Sequence, residues 1–139
     1  MTYGLYVLVT EECGSYIGFG PQQTLEDVNH MVGIGIIGIG FMGMTHFRAI
    51  RKVKGAGVTA VCTRSERKLK GDWRGIRGNF GDPGGVEDLS RVGTYESFDD
   101  LLADHRVDLV DVCLPTSDHA SYVIRALQAG KHVLVEKPI

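Results

Sequence analysis

Ile34-Gly35-Ile36-Ile37-Gly38-Ile39-Gly40-Phe41-Met42-Gly43 joins an apolar run to the spacing G-x-G-x-x-G, and helix-forming residues follow from Met44. A strand, a tight turn and a helix that holds a dinucleotide diphosphate are written this way. Gly38 serves the tight turn. Gly40 leaves room for the diphosphate, which a Cβ would occupy. Gly43 lets the helix approach the strand. Phe41 and Met42 fill the motif's variable positions, and the helix N-terminus that follows offers unpaired N–H groups and a positive dipole end that suit an anion. In a chain with 19 glycines, the alternative is a glycine-rich loop that serves packing alone.

Outward from this stretch the pattern is regular. Gly33–Ile37 reads as a buried strand. Gly43–Val53 reads as a helix with His46, Ala49, Ile50 and Val53 on one face. Val58–Cys62 is a second strand, and Arg64–Gly84 is polar, basic and glycine-rich and is expected to contain a loop. Val92–Tyr95 is a short third strand, and Ser97 caps a helix running to about Leu102. Val107–Cys113 is a fourth strand. Thr116–Asp118 supply cap residues for a helix with Ala120, Val123, Ile124 and Leu127 on one face, closed by Gly130. His132–Val135 is a fifth strand, ending in Glu136-Lys137-Pro138. Alternation of this kind predicts a Rossmann-type α/β fold, a doubly wound parallel sheet with helices on both faces. Ligands bind beyond the carboxyl ends of such strands. Gly38–Gly43, Thr63–Ser65, Leu114–Thr116 and Glu136–Pro138 are expected to gather there.

The bulk properties narrow the class. A chain of 139 residues, 43% hydrophobic, reads as one domain with a modest core. A net charge of −2 gives no global field toward nucleic acid or membrane, and neither is expected as a partner. The acidic residues of positions 1–30 are Glu11, Glu12, Glu26 and Asp27; the basic side chains begin only at Arg48. Residues 1–30, with one strand at Leu5–Thr10 and a short helix near Leu25–His30, read as an extension without an assigned role. Residues 31–139 read as the dinucleotide-binding domain. Cys13, Cys62 and Cys113 show no C-x-x-C spacing, so neither a metal site nor a disulfide framework is expected, and a reducing, cytoplasmic setting fits. Leu5–Val9 is too short for a signal peptide, and Met31–Met44 too short and glycine-rich to cross a bilayer.

Three pieces of the chain resemble one family. They are Gly38–Gly43 with His46 and Ala49 following; Asp111-Val112-Cys113-Leu114-Pro115-Thr116 leading to His119; and Ala126-Leu127-Gln128-Ala129-Gly130-Lys131-His132-Val133-Leu134-Val135-Glu136-Lys137-Pro138. From Met31 to Ile139 the sequence resembles the N-terminal domain of the glucose–fructose oxidoreductase, inositol dehydrogenase and rhizopine-catabolism family. The resemblance implies an NAD- or NADP-dependent oxidoreductase for sugars, polyols and related compounds. It also places Leu114, Pro115 and Thr116 beside the cofactor and Glu136 near the nicotinamide. Lys137 becomes the catalytic residue at the substrate hydroxyl or carbonyl, a role a cation at a strand terminus can fill. His119 either faces the cofactor or is a first-turn helix residue, and His46 packs between helix and sheet.

Two departures qualify the resemblance. The family often carries an acidic residue after the second strand, for the ribose hydroxyls of NAD. Here Thr63-Arg64-Ser65 follows Cys62, which suits a 2′-phosphate and so NADP over NAD. Arg67, Lys68, Lys70, Arg74 and Arg77 add positive charge, which reads equally as a solvated basic loop. The second departure is that the sequence stops one residue after Glu136-Lys137-Pro138, where the family continues into a domain bearing substrate-binding residues. The chain therefore reads as the cofactor-binding part alone, inactive by itself and expected to self-associate through exposed sheet edge. The alternative reading is a non-catalytic dinucleotide-binding module or an inactive fragment.

Overall fold

The computed structural model describes the backbone of residues 5–8 and the residues 31–138 in full. The expected helix near Leu25–His30 and Cys13 lie outside the described residues. The chain order is β1 (Leu5–Leu8), β2 (Val32–Ile37), α1 (Phe41–Ile50), β3 (Ala56–Cys62), α2 (Glu66–Leu69), β4 (Gly93–Tyr95), α3 (Phe98–Ala103), β5 (Leu109–Val112), α4 (Thr116–Gln128) and β6 (His132–Glu136). One sheet holds the strands in the order β1-β6-β5-β2-β3-β4. From β2 to β6 every pairing is parallel. These are the five strands expected from the sequence.

The sheet also has a sixth strand. Leu5–Leu8 pairs antiparallel with β6, Leu5 opposite Glu136 and Leu8 opposite Val133. The strand expected at Leu5–Thr10 is thus present over Leu5–Leu8, as an edge strand of this sheet. A parallel sheet leaves an unpaired row of backbone groups at each edge, and an added strand covers one of them.

The sheet separates two cores, because alternate residues of a strand point to opposite faces. On one face α3 and α4 pack with Phe98, Leu101, Val123 and Ala126 against Val110, Val112, Val133 and Val135. On the other, Met44, Phe47 and Ile50 of α1 pack against Ile34, Ile36 and Val61. Trp73 and Ile76 complete this second core. Both come from the polar, glycine-rich segment expected to contain a loop, which also contains α2 and buries Trp73 completely, at 0% exposure. Its indole meets the Phe47 ring edge-on at 4.8 Å and donates Nε1–H to the Lys68 carbonyl.

Both long helices are rotated from the faces expected of them. In α1 the buried set is Gly43, Met44, Phe47 and Ile50, whereas Ala49 and Val53 are exposed. In α4 it is His119, Val123 and Ala126, whereas Ala120 and Ile124 are exposed. Each rotation has a local cause. A Cβ on Gly43 would lie 2.1 Å from the Gly38 carbonyl, so the bare face at Gly43 must turn inward. In α4 the turn is set by the buried His119 ring, described below. The caps also differ from expectation. Ser97 and Pro115 occupy the N-cap positions of α3 and α4, and neither makes a side-chain capping bond. Gly130, at φ +74°, closes α4 as expected.

Candidate dinucleotide site

The glycines of the first turn divide the work by geometry. Gly38 has φ +92°, and a Cβ there would lie 2.6 Å from the Cys113 carbonyl. Gly40 is the N-cap of α1, and a Cβ on it would meet nothing within 4 Å. The space beside Gly40 is therefore open. No side chain caps α1 and its first turn carries no acidic residue. Its N–H groups thus remain available to an anion. The Phe41 side chain turns away to an edge-on contact with Phe80 at 4.8 Å.

A cleft of about 640 Å³ lies beside this turn. Gly38, Thr63, Arg64, Ser65 and Leu114 line it, so three of the four sequence-separated pieces expected at one edge meet here, and Glu136–Pro138 do not line it. Glu96, Phe98, Asp118 and Tyr122 also line it and were not anticipated. They stand at or near the starts of α3 and α4, where a sequence offers a helix signal but no ligand signal.

The basic segment after β3 resolves into partners. Asp72 takes Arg74 at 2.9 Å and Arg67 at 3.7 Å, and Glu66 takes Lys70 at 2.6 Å. Lys68 donates to the Ile39 carbonyl at 2.6 Å, tying α2 to the glycine-rich turn. Arg64 is exposed at the cleft rim and, among the described residues, makes no hydrogen bond or ion pair. Ser65 is the N-cap of α2, and its N–H donates to the Thr63 hydroxyl at 3.3 Å.

The opposite flank is closed. Pro115 and Thr116 are exposed at the head of α4. His119 is only 2% exposed, with Nδ1 at 3.0 Å from the Pro138 carbonyl and Nε2 at 2.8 Å from the Leu114 carbonyl. His119 lies in the first turns of α4, braced between Leu114 and Pro138. Lys137 is exposed at the end of β6, and Glu136 is half-buried.

Beneath this flank His46 makes a set of contacts that the sequence left as plain packing. Nδ1 lies 2.8 Å from Asp111 Oδ2, and Nε2 lies 3.9 Å from Glu136 Oε1. The Cys113 thiol donates to Asp111 Oδ1 at 3.5 Å. Asp111 is 1% exposed, so its charge requires such partners. Its hydrogen bond holds the His46 imidazolium above the ordinary pKa, with Glu136 adding to the effect and burial opposing it. Burial and the neighbouring Asp111 carboxylate push the Cys113 thiol far up, so it remains protonated.

Residues 32–139 match the model of an oxidoreductase family with an NAD-binding Rossmann fold. The chain is 34% identical over 116 residues to an inositol 2-dehydrogenase/D-chiro-inositol 3-dehydrogenase of Lactiplantibacillus plantarum, a match covering 79% of this chain and 28% of that protein. It is 30% identical over 105 residues to a D-apiose dehydrogenase of Rhizobium rhizogenes, covering 74% of this chain and 26% of that one. Among solved structures, scyllo-inositol dehydrogenase from Lactobacillus casei with bound NAD(H) and scyllo-inositol superposes with a TM-score of 0.59 at 29% identity, over 74% of this chain and 27% of that one. A 3-ketoreductase from Actinomadura kijaniata in complex with TDP-benzene and NADP gives a TM-score of 0.61 at 30% identity, over 77% of this chain and 30% of that one. The chain thus spans under a third of the length of each of these relatives. With the glycine-rich turn, the parallel sheet and these relatives taken together, the chain belongs to the glucose–fructose oxidoreductase, inositol dehydrogenase and rhizopine-catabolism family of oxidoreductases, as its NAD-binding Rossmann domain.

Proposed function

We propose that this chain binds NADP in preference to NAD and forms the cofactor-holding part of an oxidoreductase for a sugar, polyol or related substrate. The observation that carries the preference is Arg64. Asp72, Glu66 and the Ile39 carbonyl take Arg67, Arg74, Lys70 and Lys68; of the two cations left over, Arg64 and Arg77, it is Arg64 that lines the cleft. A free guanidinium beside Ser65 suits a 2′-phosphate, and no carboxylate stands at the end of β3 to accept from a 2′-hydroxyl. Relatives support either dinucleotide: the 3-ketoreductase was solved with NADP and the scyllo-inositol dehydrogenase with NAD(H).

The nicotinamide, when bound, supplies or accepts the hydride. The chain's residues do the rest in this reading. The N–H groups at the head of α1 hold the diphosphate. Arg64 and Ser65 hold the 2′-phosphate. Leu114–Thr116 and Glu136 flank the nicotinamide half, and Lys137 holds or releases the proton of the substrate hydroxyl. Among the described residues Cys62 and Cys113 are free, the first buried with its thiol pushed up to about 11 by burial and the second half-buried, which suits a reducing compartment such as the cytoplasm. Among the described residues no helix is long and apolar enough to cross a membrane.

Calorimetric titration of the chain with NADP and NAD tests the reading. NADP should bind tighter, Arg64→Ala should remove most of the difference, and Gly40→Val should weaken both. Tighter binding of NAD by the unmodified chain overturns the role given to Arg64.

A further inference from the structure

The diphosphate turn lies at the end of β2, and the two halves of a dinucleotide run from it to opposite sides. The adenosine half lies toward β3, where the residues after the strand read the ribose. The nicotinamide half therefore lies toward β5 and β6. On that side the structure puts a buried charge cluster under the carboxyl edge. Asp111 is wholly buried and binds His46 Nδ1 at 2.8 Å, and the Nε2 edge of the same ring faces Glu136 at 3.9 Å. The donor atoms of His46, Asp111 and Cys113 fall within 4.8 Å of one another. Hydrogen bonds among them satisfy both oxygens of the carboxylate.

An oxidised nicotinamide ring carries a positive charge and a reduced one does not. With His46 protonated, the two carboxylates and the imidazolium sum to one negative charge; without that proton they sum to two. We propose that His46, through Asp111 and Glu136, sets how strongly this edge prefers an oxidised to a reduced nicotinamide, the preference rising as His46 loses its proton. The inference rests on the dinucleotide reading above and adds a regulated property to the same site. Among the described residues the groups facing His46 are Asp111 and Cys113 from β5 and Glu136 from β6. Arg48, two residues along its own helix, is held by Glu87. Lys137 adds a positive charge next to Glu136. His119 belongs to the same edge, on its two backbone carbonyls.

The test is the pair of dissociation constants for the oxidised and reduced forms of one dinucleotide, measured by calorimetry on the full chain across the histidine range. The phosphates are common to both forms and cancel in the ratio. The ratio should move toward the oxidised form by on the order of three- to tenfold as pH rises, the scale of one screened charge acting over a short distance. His46→Asn keeps an amide donor for Asp111 and leaves His119 in place; it should flatten the profile. Asp111→Asn should move the step to lower pH. Linkage supplies a readout that needs no variant to fold: the His46 pKa, followed by NMR, must be lower with the oxidised form bound than with the reduced form. Equal values, or a flat ratio in the unmodified chain with both forms binding, overturn the inference alone. Failure of either form to bind overturns the dinucleotide reading and this inference with it.

Discussion

The two flanks of the glycine-rich turn solve opposite problems. On the β3 flank Arg64 stands exposed, without a partner among the described residues, and the cleft beside it is open. On the β5–β6 flank Asp111 is buried, and its charge is answered by His46 and Cys113 before any ligand arrives. An exposed charge contributes little to folding and is free for binding. A buried pair contributes through its mutual satisfaction, and removing one member leaves the other stranded. One sheet edge thus carries a flank whose charge is exposed and a flank whose charge is already answered within the fold.

The sharpest way to break this contrast is Asp111→Ala. It should cost about 3–5 kcal/mol in urea unfolding, as breaking a buried charged pair does. A loss no larger than that of an exposed substitution would dissolve the difference between the flanks. Arg64→Ala should leave stability within about 0.5 kcal/mol and instead weaken NADP by about 1.5–3 kcal/mol, with NAD nearly unchanged. Equal losses for the two dinucleotides would show that Arg64 does not distinguish them.

A pH series sharpens the contrast further. The pKa of His46 is raised on folding, so its contribution to stability is complete below the ordinary histidine value of about 6.5 and fades as pH rises through the folded value. Denaturation midpoints should therefore fall on the alkaline side of that range in the unmodified chain. The decline should be smaller in His46→Asn, and an equal decline in both would remove His46 from the account. The smallest effect belongs to the exposed Arg125–Asp99 pair, 2.5 Å apart on the surface between α4 and α3. Asp99→Ala should cost under about 1 kcal/mol and should shrink further in salt.

Strands β2 to β6 and the glycine turn were legible because their signals are local. Apolar runs, Gly38, Gly40 and Gly43 act over a few residues, and the geometry uses them that way. The helix faces were misjudged by part of a turn. Periodicity places a stripe, but Gly43 against the Gly38 carbonyl, and His119 between Leu114 and Pro138, set the rotation. Trp73 and Ile76 were hidden because a polar, glycine-rich composition surrounds them, although a lone tryptophan in such a stretch was a signal. The contact of His46 with Asp111 spans 65 positions of sequence, and no spacing rule reaches that far. The free state of Arg64 was beyond reach for a similar reason. The sequence shows a row of cations, and only the fold allots Asp72 and Glu66 among them.

Trp73 is the chain's single tryptophan and is sealed from water against Phe47. Its emission is therefore that of one indole in one apolar setting, and unfolding should shift it to the red. The same light is absorbed by a reduced nicotinamide and not by an oxidised one. Excitation at the indole band should then give energy transfer to the reduced dinucleotide alone, so the protein carries its own lamp for telling the two redox forms apart as they bind.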